Sequence, residues 1–302
     1  MINKKESMRK INIQLVMLMM TLLSALSLQG QINPLGSQYF QNRYLANPAM
    51  AGVEGGLNLN IGYRNQWQKM PGSPESGSMT VDYRVKKVGL GASFFKEKAG
   101  LLTNNNFKGT FSYHMPVSGS GDELHFGISV GLSNDRLDNG GIVGNSSDPL
   151  AAQFNDIGMD FQGDFGIAYT TDKLTIEGAW NNLRDRLQDD RREDVNYNTF
   201  YTSLSYEFEL LDWKFYPKAV YRGVNNYKNI LDIGGEIKTG KEDLGLLGMY
   251  HTNKSFSLGI SYEHKKQWEF MFFYNDPTAV LESYSNGSFE LGLRVKLEKR
   301  KK

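Results

Sequence analysis

A hydrolytic site needs a nucleophile, a base within hydrogen-bond reach and a third group that orients the base. This 302-residue chain has four histidines, His114, His125, His251 and His264, and no cysteine. Ser285-Asn286-Gly287 has Ser283, not histidine, in the place where a base would stand. His125 and Ser129 share one face of a strand, but at a spacing too long for a hydrogen bond. Isolated histidines among polar neighbours read as lining, so the chain is expected not to be an enzyme. Without cysteine there is no thiolate metal site, disulfide framework or lipidated N-terminal cysteine.

Oxygen-rich stretches point to metals only weakly. Asp189, Asp190 and Asp194 offer carboxylates to a cation, but Arg184, Arg186, Arg191 and Arg192 are interleaved with them. Such a run suits a solvated or partner-facing loop. Asn134-Asp135 with Asp138-Asn139-Gly140-Gly141 is explained by a Gly-ended turn. The pairs at Gly55, Gly140 and Gly234 lack the Lys-Ser/Thr and the strand-to-helix context of a phosphate loop. Metal and cofactor sites are therefore expected to be absent. A formal charge of +1 offers no bulk attraction to nucleic acid.

The elements that would position any site alternate with period two. Leu57, Leu59, Ile61 and Tyr63 alternate with Asn58, Asn60, Gly62 and Arg64; Leu124, Phe126, Ile128, Val130 and Leu132 alternate with His125, Gly127, Ser129, Gly131 and Ser133. Such spacing gives each sheet face its own residue type. About fourteen such segments follow Gly56. They centre on Ile61, Val81, Ala92, Phe111, Ile128, Ile167, Ile176, Leu204, Ala219, Ile233, Leu246, Ile260, Phe272 and Leu293. Most have the length of a tilted strand that crosses a bilayer. Past the N-terminus no apolar run is long enough for a membrane helix.

Connections support the same class. Even-numbered ones are short, as at Lys86-Lys87, Thr171-Asp172-Lys173, Leu211-Asp212, Thr239-Gly240-Lys241 and Lys265-Lys266, with the fourth, Pro116 to Asp122, a little longer. Odd-numbered ones are mostly long: Gln66 to Gly77, Asn134 to Phe161, Asn181 to Asn196 and Asp276 to Asn286, with a tight exception at His251 to Lys254. Short turns on one rim and long loops on the other characterise outer-membrane barrels. The final strand fixes the faces: turned over, it would set Glu290, Arg294 and Lys296 in lipid, where a Lys or Arg costs about 2–4 kcal/mol at the midplane. Apolar faces should therefore point outward, with Trp180, Trp213 and Trp268 near strand ends as an aromatic girdle. The expected class is all-β, a transmembrane outer-membrane barrel with a plug-like N-terminal segment.

Three regions follow. Residues 1–30 read as a secretory signal, with Lys4, Lys5, Arg9 and Lys10 before an apolar stretch and small residues near Ala25-Leu26-Ser27. Residues 31–56 do not alternate. Ser37 is a candidate N-cap, and Tyr39, Phe40, Tyr44 and Leu45 suggest a short amphipathic helix ended by Pro48. Residues 57–302 form the barrel. The segment before it is either a plug or a periplasmic tether, and a lumen this wide favours the plug.

The motifs Ser37-Gln38-Tyr39, Asn42, Tyr44-Leu45, Asn47-Pro48-Ala49 and Ala51-Gly52 are followed by Gly62-Tyr63-Arg64-Asn65-Gln66-Trp67 and Pro71-Gly72-Ser73-Pro74. Together they resemble the opening of the PorP/SprF family, outer-membrane proteins of the type IX secretion and gliding machinery of Bacteroidetes. The likeness continues through Gly89-Leu-Gly-Ala-Ser93 to Ser288-Phe-Glu-Leu-Gly-Leu293. It implies a non-catalytic protein of the bacterial outer membrane that helps a secreted cell-surface protein reach or stay on the surface, with periplasmic machinery proteins and outer-membrane lipid as partners. On that basis Tyr39, Asn42, Tyr44, Leu45, Asn47, Pro48, Tyr63, Arg64, Asn65, Gln66, Trp67 and Pro71 are the candidate plug, lumen and partner-contact residues. The alternative is a channel for uptake or diffusion of small solutes.

Overall fold

The computed structural model describes residues 36–67, 72–117, 119, 121–141, 153–156, 158–183, 200–210, 212–223, 229–239, 243–276 and 287–297. The proposed signal peptide, the run 184–194, the serine at 285 and the tail 298–302 lie outside them.

Fifteen strands make the wall: β1 Leu57–Gln66, β2 Glu75–Val85, β3 Val88–Ala99, β4 Leu102–Pro116, β5 Glu123–Leu137, β6 Asp160–Thr170, β7 Leu174–Trp180, β8 Phe200–Tyr206, β9 Phe208–Leu210, β10 Trp213–Gly223, β11 Ile230–Thr239, β12 Leu244–His251, β13 Ser255–His264, β14 Trp268–Asn275 and β15 Ser288–Leu297. Neighbours pair antiparallel, and β1 pairs with β15 from Leu57↔Leu297 to Gln66↔Ser288, which closes the ring. β8 and β9 both lie against β10, on Lys218–Gly223 and Trp213–Phe215 respectively. They are two parts of one wall strand broken at Glu207, so the barrel has 14 wall positions. Every expected strand centre falls inside one of them. Closure leaves no unpaired edge, as a lipid environment demands.

The faces are as the alternation requires. On β5, Ile128 and Val130 are 52% and 54% exposed, while His125 and Ser129 between them are 0% and 4%. On β15, Leu291 is 56% exposed and Glu290 is 0%. In water such a continuous apolar exterior would be an aggregation surface; in a bilayer it is solvated by lipid. Trp180 closes β7 at the long-connection rim, and Trp213 and Trp268 open β10 and β14 at the short-turn rim, all three exposed. Aromatic residues thus mark both interfaces.

The short-turn rim also holds the first and last wall residues, Leu57 and Leu297. The opposite rim is less uniform than expected. Besides the turn after His251, the third connection is only Gly100-Leu101, since Ala99 pairs with Leu102. Its neighbours β4 and β5 each run 15 residues, so the wall extends further there. The connection expected from Asn134 starts later, because β5 continues to Leu137.

The segment Gly36–Gly56 packs inside the ring. The short amphipathic helix expected there is replaced by three 3-10 turns, Gln38–Phe40, Arg43–Leu45 and Pro48–Met50. Ser37 makes no side-chain cap, and Pro48 opens the third turn instead of ending a helix. The cause is local competition: inward polar side chains offer the backbone partners that a continuous helical ladder would otherwise supply. Asn47 is extended at φ −140°, and its side chain accepts from the Ala49 N–H at 3.0 Å. Wall glycines make room for the segment. A Cβ on Gly127 would strike the Pro48–Ala49 backbone, and one on Gly91 would meet the Tyr44 ring.

Candidate functional site: the lumen and the segment it encloses

Anchoring begins with the backbone. The Ser37 N–H donates to both carboxylate oxygens of Glu290 at 2.9 Å, and the Gly52 N–H donates to Asp82 at 2.9 Å. Glu290 stands on β15 and Asp82 on β2, so two neighbouring quadrants of the wall hold the two ends. Between them, side chains reach round the ring. Tyr39 donates to Asp232 on β11 at 2.5 Å, Gln41 to Glu236 at 2.6 Å, Asn42 to Thr80 at 2.9 Å and Tyr44 to Thr110 at 2.7 Å. Asn47 donates to the Ile167 carbonyl at 3.2 Å, and Asn181 to the Ala46 carbonyl at 3.3 Å. Desolvation and the Asp232 charge push the Tyr39 hydroxyl well above the usual tyrosine range, so it remains a donor.

Most buried charges occur in groups, because an unpaired charge away from water is far costlier than a paired one. Arg222 forks onto Asp232 at 2.7 and 3.2 Å and lies over the Tyr39 ring at 5.3 Å. Arg294 meets Glu269 at 2.9 Å, bonds Asn60 at 2.9 Å and donates to the Gln41 carbonyl; Lys238 reaches the same Glu269 at 3.1 Å. Lys218 sits 5.1 Å from the Phe40 ring centre. Nearer the short turns, His114 and His125 are hydrogen-bonded to each other through Nδ1 atoms 2.7 Å apart, and Ser112 donates to the Ala51 carbonyl at 2.6 Å.

One group has the distances of a serine relay. His251 Nδ1 lies 2.6 Å from Asp232, and its Nε2 lies 2.7 Å from the Ser257 hydroxyl. The surroundings differ from a working nucleophile. Ser257 is 1% exposed, its single proton is contested by Asn275, and the Ser37 hydroxyl covers it at 3.2 Å. Asp232 is shared with Arg222 and Tyr39. Sequence reasoning missed this group, because 232, 251 and 257 become neighbours only through the register Asp232↔His251 and Met249↔Ser257. The available signal was the inward parity of each residue on its strand.

The twelve residues singled out from sequence divide clearly. Tyr39, Asn42, Tyr44, Asn47 and Pro48 are buried in the inner segment, with Leu45 half-buried among them. Arg64 and Gln66 point inward from β1, and Arg64 pairs with Glu290 at 3.4 Å. Tyr63 does not line the lumen: it is 46% exposed on the outward face, one residue out of phase with Arg64. Asn65 shares its parity and donates to Glu75 at 3.3 Å. Trp67 follows β1 at φ 54°, its N–H donating to the Gly287 carbonyl at 2.9 Å. Pro71 lies outside the described residues.

Among solved structures, the chain is similar to the Ralstonia pickettii toluene transporter TbuX, with TM-score 0.52 at 12% identity over 88% of this chain and 94% of that one. It is also similar to Acinetobacter baumannii outer membrane protein Omp33, with TM-score 0.49 at 7% identity over 80% and 98%. The Pseudomonas putida toluene transporter TodX gives TM-score 0.48 at 9% identity over 84% and 94%. At such identities the TbuX likeness establishes the outer-membrane barrel fold and nothing about ligand. No curated protein matches the chain. The family described as type IX secretion system membrane protein PorP/SprF matches residues 28–295, from before the inner segment to within β15. A closed barrel with an apolar exterior, its enclosed segment and that match together place the chain in the PorP/SprF family of type IX secretion system membrane proteins.

Proposed function

We propose that this barrel is a non-catalytic component of the secretion and gliding machinery that supports secretion or surface attachment of a partner protein, with Gly36–Gly56 acting as its plug. The observation that carries this reading is the filled interior: Ser37, Tyr39, Asn47, Ala49 and Ala51 are fully buried, and the segment bonds side chains on β2, β4, β11, β13 and β15. So well-anchored an obstruction stands in the way of free solute diffusion. Residues 1–30 direct export, the apolar wall meets outer-membrane lipid, and periplasmic machinery proteins approach the short-turn rim. The longer connections, 138–159 and 181–199, face the cargo, since long loops on a rigid scaffold carry recognition. Deleting the protein from its native cell is expected to abolish surface delivery of one cargo or a small set. Unchanged delivery of every secreted protein would reject the role.

The second reading is a solute channel, favoured by the charged lumen side chains and by the likeness to TbuX, described as a toluene transporter. Planar-bilayer recording separates the two. The intact chain should be silent and a variant lacking residues 37–52 should conduct; steady conductance from the intact chain would favour the channel. Ser257, His251 and Asp232 are assigned to anchoring. Lipase assays on the folded chain and on Ser257→Ala should both be blank, and turnover lost in the variant would reverse that assignment.

A further inference from the structure

The rim that carries the short turns is divided by charge in a way that neither closure nor the lumen requires. In wall order from β13 through β15 and β1 to β3, it presents Lys265 and Lys266 in one hairpin and Lys86 and Lys87 in another. The four hairpin lysines are exposed. From β6 to β12 it presents Asp172, Glu209, Asp212 and Asp243, also exposed. Charges of the opposite sign are mostly neutralised where they stand: Glu54 pairs with Lys296 at 2.9 Å, and Lys214 with Glu207 at 3.2 Å. Among the described residues Glu263 and Lys173 are the counter-examples in the two arcs; Lys241 and Glu242 of the tenth connection lie outside them.

Backbone geometry adds an independent observation. Lys86 has φ 57°, and Lys265 and Lys266 both have φ 55°. Hairpin turns of this kind suit Asn-Gly, because the left-handed region crowds a Cβ. Both hairpins of the basic arc keep lysine where turn chemistry disfavours it, as does the tight turn of the opposite rim at Lys254, φ 65°.

We propose that this rim is a docking surface for a protein on the short-turn side, which lays an acidic surface over Lys86-Lys87 and Lys265-Lys266 and a basic surface over Asp172 to Asp243. Lipid headgroups fit less well. A lipid annulus meets the whole circumference alike, so lysines recruited for phosphate would have no reason to give way to carboxylates beyond β4. A rim with two signs fixes the rotation of a docked protein, which is what electrostatic complementarity does best. The proposal rests on the machinery reading for the partner's compartment alone.

The test places a photo-crosslinking residue at Gln267 in the full chain, expressed in its native cell. Three versions are compared: unaltered; Lys86→Asn, Lys87→Gly, Lys265→Asn, Lys266→Gly; and arginine at the same four positions. Lys254→Asn, on the opposite rim, is the control. The Asn-Gly turns should fold at least as well, checked by heat-modifiable gel migration. Their adduct with a protein partner should fall roughly tenfold and lose its salt sensitivity, while the arginine version and Lys254→Asn keep it. Undiminished adduct in the neutral version, equal loss in the arginine version, or an adduct with phospholipid alone would each overturn the proposal. Cargo delivery is scored separately, so failure of the machinery reading and failure of the docking surface are told apart.

Discussion

The wall and the segment it encloses are both made of short stretches of chain, yet they are held in opposite ways. The wall repeats one interaction: an antiparallel ladder whose outward side chains meet lipid and whose inward ones meet polar neighbours, strand after strand. No single pair in it is special. The segment has no repeat. Each of its 3-10 turns is secured by a different partner, Glu290 or Asp232 near one end, Thr110 and Ile167 further on, Asp82 at the other. A repeated structure spreads a defect over its neighbours, whereas a one-of-a-kind anchor loses its whole contribution at once. The two regions should therefore respond differently to substitution.

The sharpest way to break the comparison is Gly127→Val. Its side chain would occupy the space of the Pro48–Ala49 backbone, so the segment should leave the lumen while the wall closes as before. Limited proteolysis within residues 36–56 together with normal heat-modifiable migration checks this; a protease-resistant segment would mean that the wall yields instead. Asp232→Ala comes next. It leaves Arg222, 1% exposed, without its forked partner and frees Tyr39 and His251, so urea unfolding should show a loss of about 3–5 kcal/mol. Ile128→Lys attacks the wall from the lipid side and should cost about 2–4 kcal/mol if Ile128 lies near the midplane. A loss larger than that of Asp232→Ala would erase the distinction between the regions. Tyr44→Phe removes a single hydrogen bond to Thr110 and should cost about 1 kcal/mol, read from the same urea curves.

The smallest effect concerns acid. Burial pushes the Glu54 carboxyl up, but Arg294 and Lys296 outweigh it and hold the group below the usual carboxylate range. A depressed folded-state value contributes stability that is present above the unfolded value and lost as the pH falls below about 4. Glu54→Gln should flatten that acid limb in equilibrium unfolding; an unchanged limb would assign it to other carboxylates.

Much of the wall was legible before any coordinates, because a strand's two faces see different solvents and the residues must alternate accordingly. That logic located the strand centres, the direction of Glu290 and Arg294, and the turn at Lys86-Lys87. The absence of alternation and the family likeness set Tyr39 to Ala49 apart from the wall. Sequence reasoning failed at Tyr63, where grouping a motif by sequence overlooked that neighbours on a strand face opposite ways. It failed again at Ser37 and Pro48, where local helix signals were outcompeted by partners on distant strands.

Alternation, turn residues and the polarity of each face are properties of neighbouring positions, so the amino-acid order alone determined that this chain would close as a barrel with a polar lumen. Which buried charges meet is a property of register and closure. Asp232 reaches Arg222, His251 and Tyr39 only once three strands are aligned and the segment is threaded between them, and no local rule in the chain carries that information. The split of charge around the rim became visible for the same reason, when pairing of β15 with β1 set the β13–β14 and β2–β3 hairpins on one arc.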